Sequence, residues 1–173
     1  MLLEVLISII ILAFGLLGLA GLQLKVQSSE TESYQRAQAI LLTQEMSGML
    51  SANRANAASY VTTTTPLGTG DGQPSSCSTL TGVQLDECTW SNQLKGASEA
   101  NSGVNVGAMT NAVGCIESLG GSPSVYRVDV AWQGLVQLNP PALTCGQNLN
   151  IYGNDGKRRA ISSLITIASL TAP

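Results

Sequence analysis

From Val5 to Leu24 the chain carries only apolar or small residues apart from Ser8 and Gln23, and no other feature limits its structure as strongly. Wound as an α-helix, those twenty residues cover about 30 Å, the thickness of a bilayer's hydrocarbon core. A secretory signal peptide would place a basic region ahead of a shorter apolar stretch and a small-residue cleavage site behind it. Here nothing basic precedes the run, and after Leu24 the helical pattern continues instead of ending. Between Lys25 and Leu50, charged Lys25, Glu30, Glu32, Arg36 and Glu45 alternate with apolar Ala37, Ile40, Leu41 and Met49 at three-to-four spacing. This periodicity predicts one buried and one wet face. With no proline before Pro66, one helix of about fifty residues is expected, apolar all round in its first half and amphipathic in its second.

Within the apolar half, Gly15, Gly18 and Gly21 each weaken the helix by roughly 1 kcal/mol relative to alanine. Two uses fit: close approach of neighbouring helices through small residues, or local loosening when the segment leaves lipid for a protein environment. Glu4 raises a sharper question, because it is the only charged residue between Leu2 and Leu24. It either rests in the headgroup zone, favoured by the positive end of the helix, or it has a partner inside an apolar bundle.

Beyond the helix the composition changes. Overall hydrophobic content is 44%, but it is concentrated at the N-terminus, and residues 56–121 are dense in turn-forming Gly, Ser, Thr and Asn. Strands or short helices in that region are not specified by pattern. Four cysteines, Cys77, Cys88, Cys115 and Cys145, all follow the apolar run, with no C-x-x-C spacing. Two structural disulfides in an oxidising compartment are expected, and of the three connectivities the sequential pairing Cys77 with Cys88 and Cys115 with Cys145 is preferred. From Ser124 the chain alternates: Tyr126, Val128, Val130 and Trp132 on one face, Arg127, Asp129 and Ala131 on the other, the pattern of a half-buried strand. Leu149 and Ile151 continue the alternation. Gly153 to Gly156 reads as a hairpin turn before Arg159, Ile161, Ser163, Ile165 and Ile167. An α+β chain follows, with residues 1–24 as the membrane-spanning half of the helix, 25–55 as its amphipathic half and 56–173 as a globular head. Within the head, 122–173 supply an antiparallel sheet of three or four strands with one face on the helix and the other wet or covered by a partner.

Several activities are disfavoured. The absence of histidine removes Ser-His-Asp and Cys-His arrangements and the usual zinc sites, and no cofactor motif occurs. Asp86 and Glu87 are adjacent residues read as solvated loop carboxylates. Asp71-Gly72 and Asp155-Gly156 lack the further ligands of a calcium loop and are read as turns. Trp132 is expected in the core, and Arg158 and Arg159 as solvated charges at a strand start. With eight Lys and Arg and a net charge of -3, no basic patch suits a nucleic acid.

The opening Leu2-Leu3-Glu4, followed by VLISIIILAFGLLGLAGLQ, resembles the N-terminus of type IV pilins and pseudopilins. SVYRVDVAWQG, LTCG and YGNDGKRR resemble the PilV-type minor pilins in particular. In that family a phenylalanine opens the mature chain and a glutamate stands fifth. Met1 falls at the second mature place, so the phenylalanine, the glycine before it and the basic leader have no counterpart, and a start upstream of Met1 is expected. The resemblance implies the pilin fold and assembly roles for Leu2, Leu3 and Glu4, with the glutamate pairing with a neighbouring subunit's terminal amine. It also implies N-terminal methylation, and a subunit held in the inner membrane with a periplasmic head before joining a surface pilus. Implied partners are other minor pilins, the major pilin, a tip adhesin and the inner-membrane assembly machinery, for a role in pilus initiation, adhesion and twitching motility. A type II secretion pseudopilin and a bitopic periplasmic protein that never polymerises are the alternatives.

Overall fold

A computed structural model of the chain describes residues 2–62, 65–97, 100–101, 104–105 and 109–168. Its first element, α1, is an unbroken α-helix from Leu2 to Ala52, as the absence of proline and the unbroken run of helix-compatible residues require. Contacts divide the chain into two compact units, Met1–Arg36 and Ala37–Pro173. The described residues of the first, 2–36, are helix alone. From Leu3 to Val26 its large apolar side chains are exposed at every azimuth, in a helix long and apolar enough to cross a membrane. Two hydroxyls there bond back to the helix: Ser8 Oγ donates to the Glu4 carbonyl at 2.8 Å and Thr31 Oγ1 to that of Gln27 at 3.0 Å.

In the second unit, the end of α1 is followed by a kinked 3-10 segment, Arg54–Tyr60, then β1 (Leu67–Gly68), α2 (Gly82–Leu94), β2 (Ala100–Asn101), β3 (Val104–Asn105), β4 (Val113–Gly120) and β5 (Ser124–Gln133). A 3-10 turn at Asp155–Lys157 leads into β6 (Arg158–Ile167). β1, β4, β5 and β6 form one antiparallel sheet in that order, and β2 and β3 pair separately. Ala39, Leu42, Met46 and Leu50 of α1 meet Trp90 and Leu94 of α2, Ile116 of β4, and Tyr126, Val128, Val130 and Trp132 of β5 in the main core.

The buried helix stripe differs from the expected one. Ala37 is exposed, Ile40 and Leu41 are 43% and 65% exposed, and Met49 is only partly buried. Thr43 takes a core place instead, because its Oγ1 donates to the Ala39 carbonyl at 2.6 Å and so enters the core without an unpaired donor. Ser47 and Ser51 repeat that bond one and two turns on.

The region 56–121 is also more ordered than its composition suggested, since it holds α2 and two of the four sheet strands. Nor does a hairpin form at Gly153 to Gly156. β5 pairs with β6 along its whole length, from Ser124 opposite Ile167 to Gln133 opposite Arg158, and the intervening 134–157 is a long irregular connection. Pro140 and Pro141 remove ladder donors from it, and its carbonyls are gathered by a side chain described below. This connection covers part of the second sheet face, where Leu149 and Ile151 pack on Val113, Ala131 and Cys145. That face is therefore closed in part by the chain itself.

Candidate functional site

At the helix entry, Leu3 is 74% exposed and Glu4 is also exposed; the side chain of Leu2 lies outside the described residues. No ion pair reaches Glu4 among the described residues. The helix runs unbroken through Gly15, Gly18 and Gly21, and a Cβ added at any of them would meet nothing within 4 Å. Among the described residues, nothing packs closely enough on these three to require their small size. What Glu4 and the three glycines share is an exposed position on the apolar half of α1.

In the head, Cys77 bonds to Cys88 and Cys115 to Cys145, leaving no free thiol. The first bridge ties an irregular loop to α2, and the second ties β4 to the connection over the outer sheet face.

Several polar groups take roles in this scaffold that the sequence pattern did not show. Asp71, whose side chain is 2% exposed, accepts from Lys95 at 2.5 Å, Ser91 at 2.6 Å, and the backbone N–H of Gly68 and Gln73 at 2.8 and 3.0 Å. Burial pushes its carboxyl up, but the bonds from Lys95, Ser91 and the two amides outweigh this and hold it below the ordinary aspartate value. It is a turn residue and also the tie between that turn and α2. Asp86 and Glu87 lie on α2, not in a solvated loop. Asp86 accepts from Tyr60 Oη, while burial, with the Asp86 charge adding to it, raises the Glu87 carboxyl. Burial and the Asp86 bond push the Tyr60 hydroxyl up to about 12.

Arg158, expected as a solvated charge, is fully buried. Its guanidinium donates to Asp155 at 2.6 Å and to the carbonyls of Leu143, Cys145 and Pro141 at 2.5, 3.2 and 3.3 Å. One planar fork thus satisfies a loop that has no ladder. It also holds the Asp155 carboxyl below its ordinary value. Arg159 is half-buried and donates to the carbonyls of Val136 and Gly156. Trp132 is buried in the core as its alternation predicted. Trp90 gave no sequence signal, yet it is fully buried and donates its indole N–H to the Leu42 carbonyl of α1 at 2.9 Å.

Asp86 is engaged by the Tyr60 hydroxyl, and among the described residues no group of three or more Asp, Glu, His or Cys side chains is placed to hold a metal. No family model, curated protein or solved structure matches the chain.

Proposed function

We propose that this chain is a filament subunit of the type IV pilin class, built on the pilin fold and of the PilV-type minor kind. In this reading α1 anchors it in the inner membrane with the head in the periplasm. It then exchanges lipid for the helices of sister subunits as the protein joins an initiating or tip complex. Its partners are other minor pilins, the major pilin, a tip adhesin and the membrane assembly machinery, and its work is association, serving adhesion and twitching motility.

One observation carries the reading: a continuous helix whose apolar half is exposed on every side, with a lone carboxylate at its entry, runs into a disulfide-stapled head. A bitopic anchor needs the apolar length but has no use for the acid. In a bundle of such helices an unpaired carboxylate is costly, so only the position that supplies a cationic partner, such as a neighbouring terminal amine, is favoured, and the charge selects axial register. Breaking a buried pair costs about 3 kcal/mol or more, at least about a hundred-fold in an equilibrium. Glu4→Leu is therefore expected to leave membrane insertion and both disulfides intact while depleting the protein from sheared surface fibres, measured by quantitative mass spectrometry of fibre and membrane fractions. Undiminished incorporation of the variant would sink the assembly role. Recovery of the wild-type protein from the membrane fraction alone, monomeric, would favour the bitopic alternative.

A further inference from the structure

Among the described residues, the outer sheet face holds a buried carboxylate that the scaffold only half satisfies. Asp129 of β5 lies opposite Cys115 of β4 and is 2% exposed. Its Oδ2 accepts from Arg127 Nε at 3.0 Å, and Arg127 Nη2 reaches Glu117 at 2.5 Å. Oδ1 of Asp129 has no hydrogen-bond partner among the described residues and almost no exposed surface. A buried carboxylate oxygen left without a donor costs free energy. In keeping with that, burial raises the Asp129 carboxyl despite the adjacent guanidinium.

Asp129 also lines a half-open cavity of about 440 Å³ bordered by β4, the Val61–Thr62 segment and the connection that carries Cys145. Its polar lining includes Glu117, Thr144, Gln147 and Asn148. We infer that this cavity binds a primary ammonium group, of the kind carried by a lysine side chain, with the Asp129 carboxylate, its sealed Oδ1 turned toward the cavity on binding, as principal acceptor and Glu117 at the rim. Three features set the ligand class. First, Asp129 and Glu117 against Arg127 leave one negative charge in excess and no other charged residue lines the cavity among the described residues, which disfavours anions. Second, Arg127 already holds Oδ2, so the single free oxygen suits a compact point charge better than a guanidinium, whose fork seeks both oxygens of one carboxylate. Third, two carboxylates fall short of the oxygen set of a hard divalent cation, and among the described residues no aromatic face lines the cavity to stack a sugar ring. Thr144, Gln147 and Asn148 supply acceptors for the remaining ammonium protons.

The test uses the full oxidised chain in detergent micelles, titrated by calorimetry at pH 7 with the blocked peptide acetyl-Gly-Lys-Gly-amide. The same peptide acetylated on the lysine and n-butylamine serve as comparisons. Saturable binding in about the millimolar range is expected, weakened at least about ten-fold by lysine acetylation. Tighter binding of the peptide than of n-butylamine assigns the ligand to a polypeptide, and equal binding to a free amine. Asp129→Asn should abolish binding while both disulfides and the near-ultraviolet circular dichroism persist. Should that variant misfold, Asn148→Trp, at an exposed position lining the cavity, fills the space with Asp129 intact and should abolish binding as well. No saturation at tens of millimolar peptide, equal binding of the acetylated peptide, or full binding by a folded Asp129→Asn or Asn148→Trp chain would each overturn the assignment.

Discussion

Trp90 and Gly114 together fix how α1, α2 and the sheet meet. A Cβ built on Gly114 would lie 2.1 Å from Cη2 of Trp90, so the indole occupies the space a side chain on β4 would need. The same ring donates to the Leu42 carbonyl, which sets α1 against α2 at that level. Gly114→Ala is expected to destabilise the head by about 1–3 kcal/mol, the usual cost of overpacking a filled core, read as a lower midpoint in urea denaturation. In a Trp90→Ala background the same substitution should cost much less, because the clash is gone, and equal costs in the two backgrounds would refute the contact. Sequence gave no warning of this pair. A tryptophan inside CTWSNQ and a glycine within VGCIES have no periodic neighbours that imply a close approach.

At the scale of elements, the connection 134–157 is the least regular part of the described head and the most heavily tied. Cys115–Cys145 anchors it to β4, and Arg158 holds three of its carbonyls. Removing the bridge by paired Cys115→Ser and Cys145→Ser substitution is expected to cost about 3–4 kcal/mol by loop-closure entropy. Cleavage of 134–157 by protease should accelerate before β5 and β6 are attacked, which limited proteolysis with peptide mapping would reveal. Cleavage first within β6 would contradict this order. The strand β5 was legible because alternation over ten residues reflects a local geometry. At Gly153 to Gly156 a turn forms but no hairpin, for the converse reason. Turn-forming residues permit a reversal, but whether a strand precedes it depends on a partner edge, and β6 takes its place beside β5 from the far end of the connection. The helix face was misread in a related way: counting apolar letters favoured Ile40 and Leu41, whereas back-bonded Thr43 entered the core.

For the molecule as a whole, acid sensitivity follows from which carboxylates the fold lowers and which it raises. Asp71 is held below its unfolded value, so its contribution is present above the ordinary aspartate pKa near about 4 and is lost as pH falls through the lower folded value. Asp129 and Glu87 are raised, so they act in the opposite sense, favouring the folded state at low pH and withdrawing that support as pH rises through their folded values. The stability difference between wild type and Asp71→Asn, measured by urea denaturation, should therefore shrink steadily as pH is lowered from neutrality into the acid range. A difference independent of pH would show that Asp71 is not held as its bonds imply.

By itself the sequence determined the 51-residue helix, the exposed apolar half of that helix and the core strand β5, because helix and strand periodicities and the demands of lipid act between residues close along the chain. It also supplied the cysteine count from which two bridges follow, and the position of Glu4 and the three glycines on the apolar segment. Only the tertiary structure decided which stripe of α1 is buried, where Trp90 lies, that Arg158 is a buried clasp and that Asp129 is left with one unpaired oxygen. Each of these depends on groups far apart in sequence meeting at fixed distances. Burial and hydrogen-bond satisfaction exist only once those groups have met.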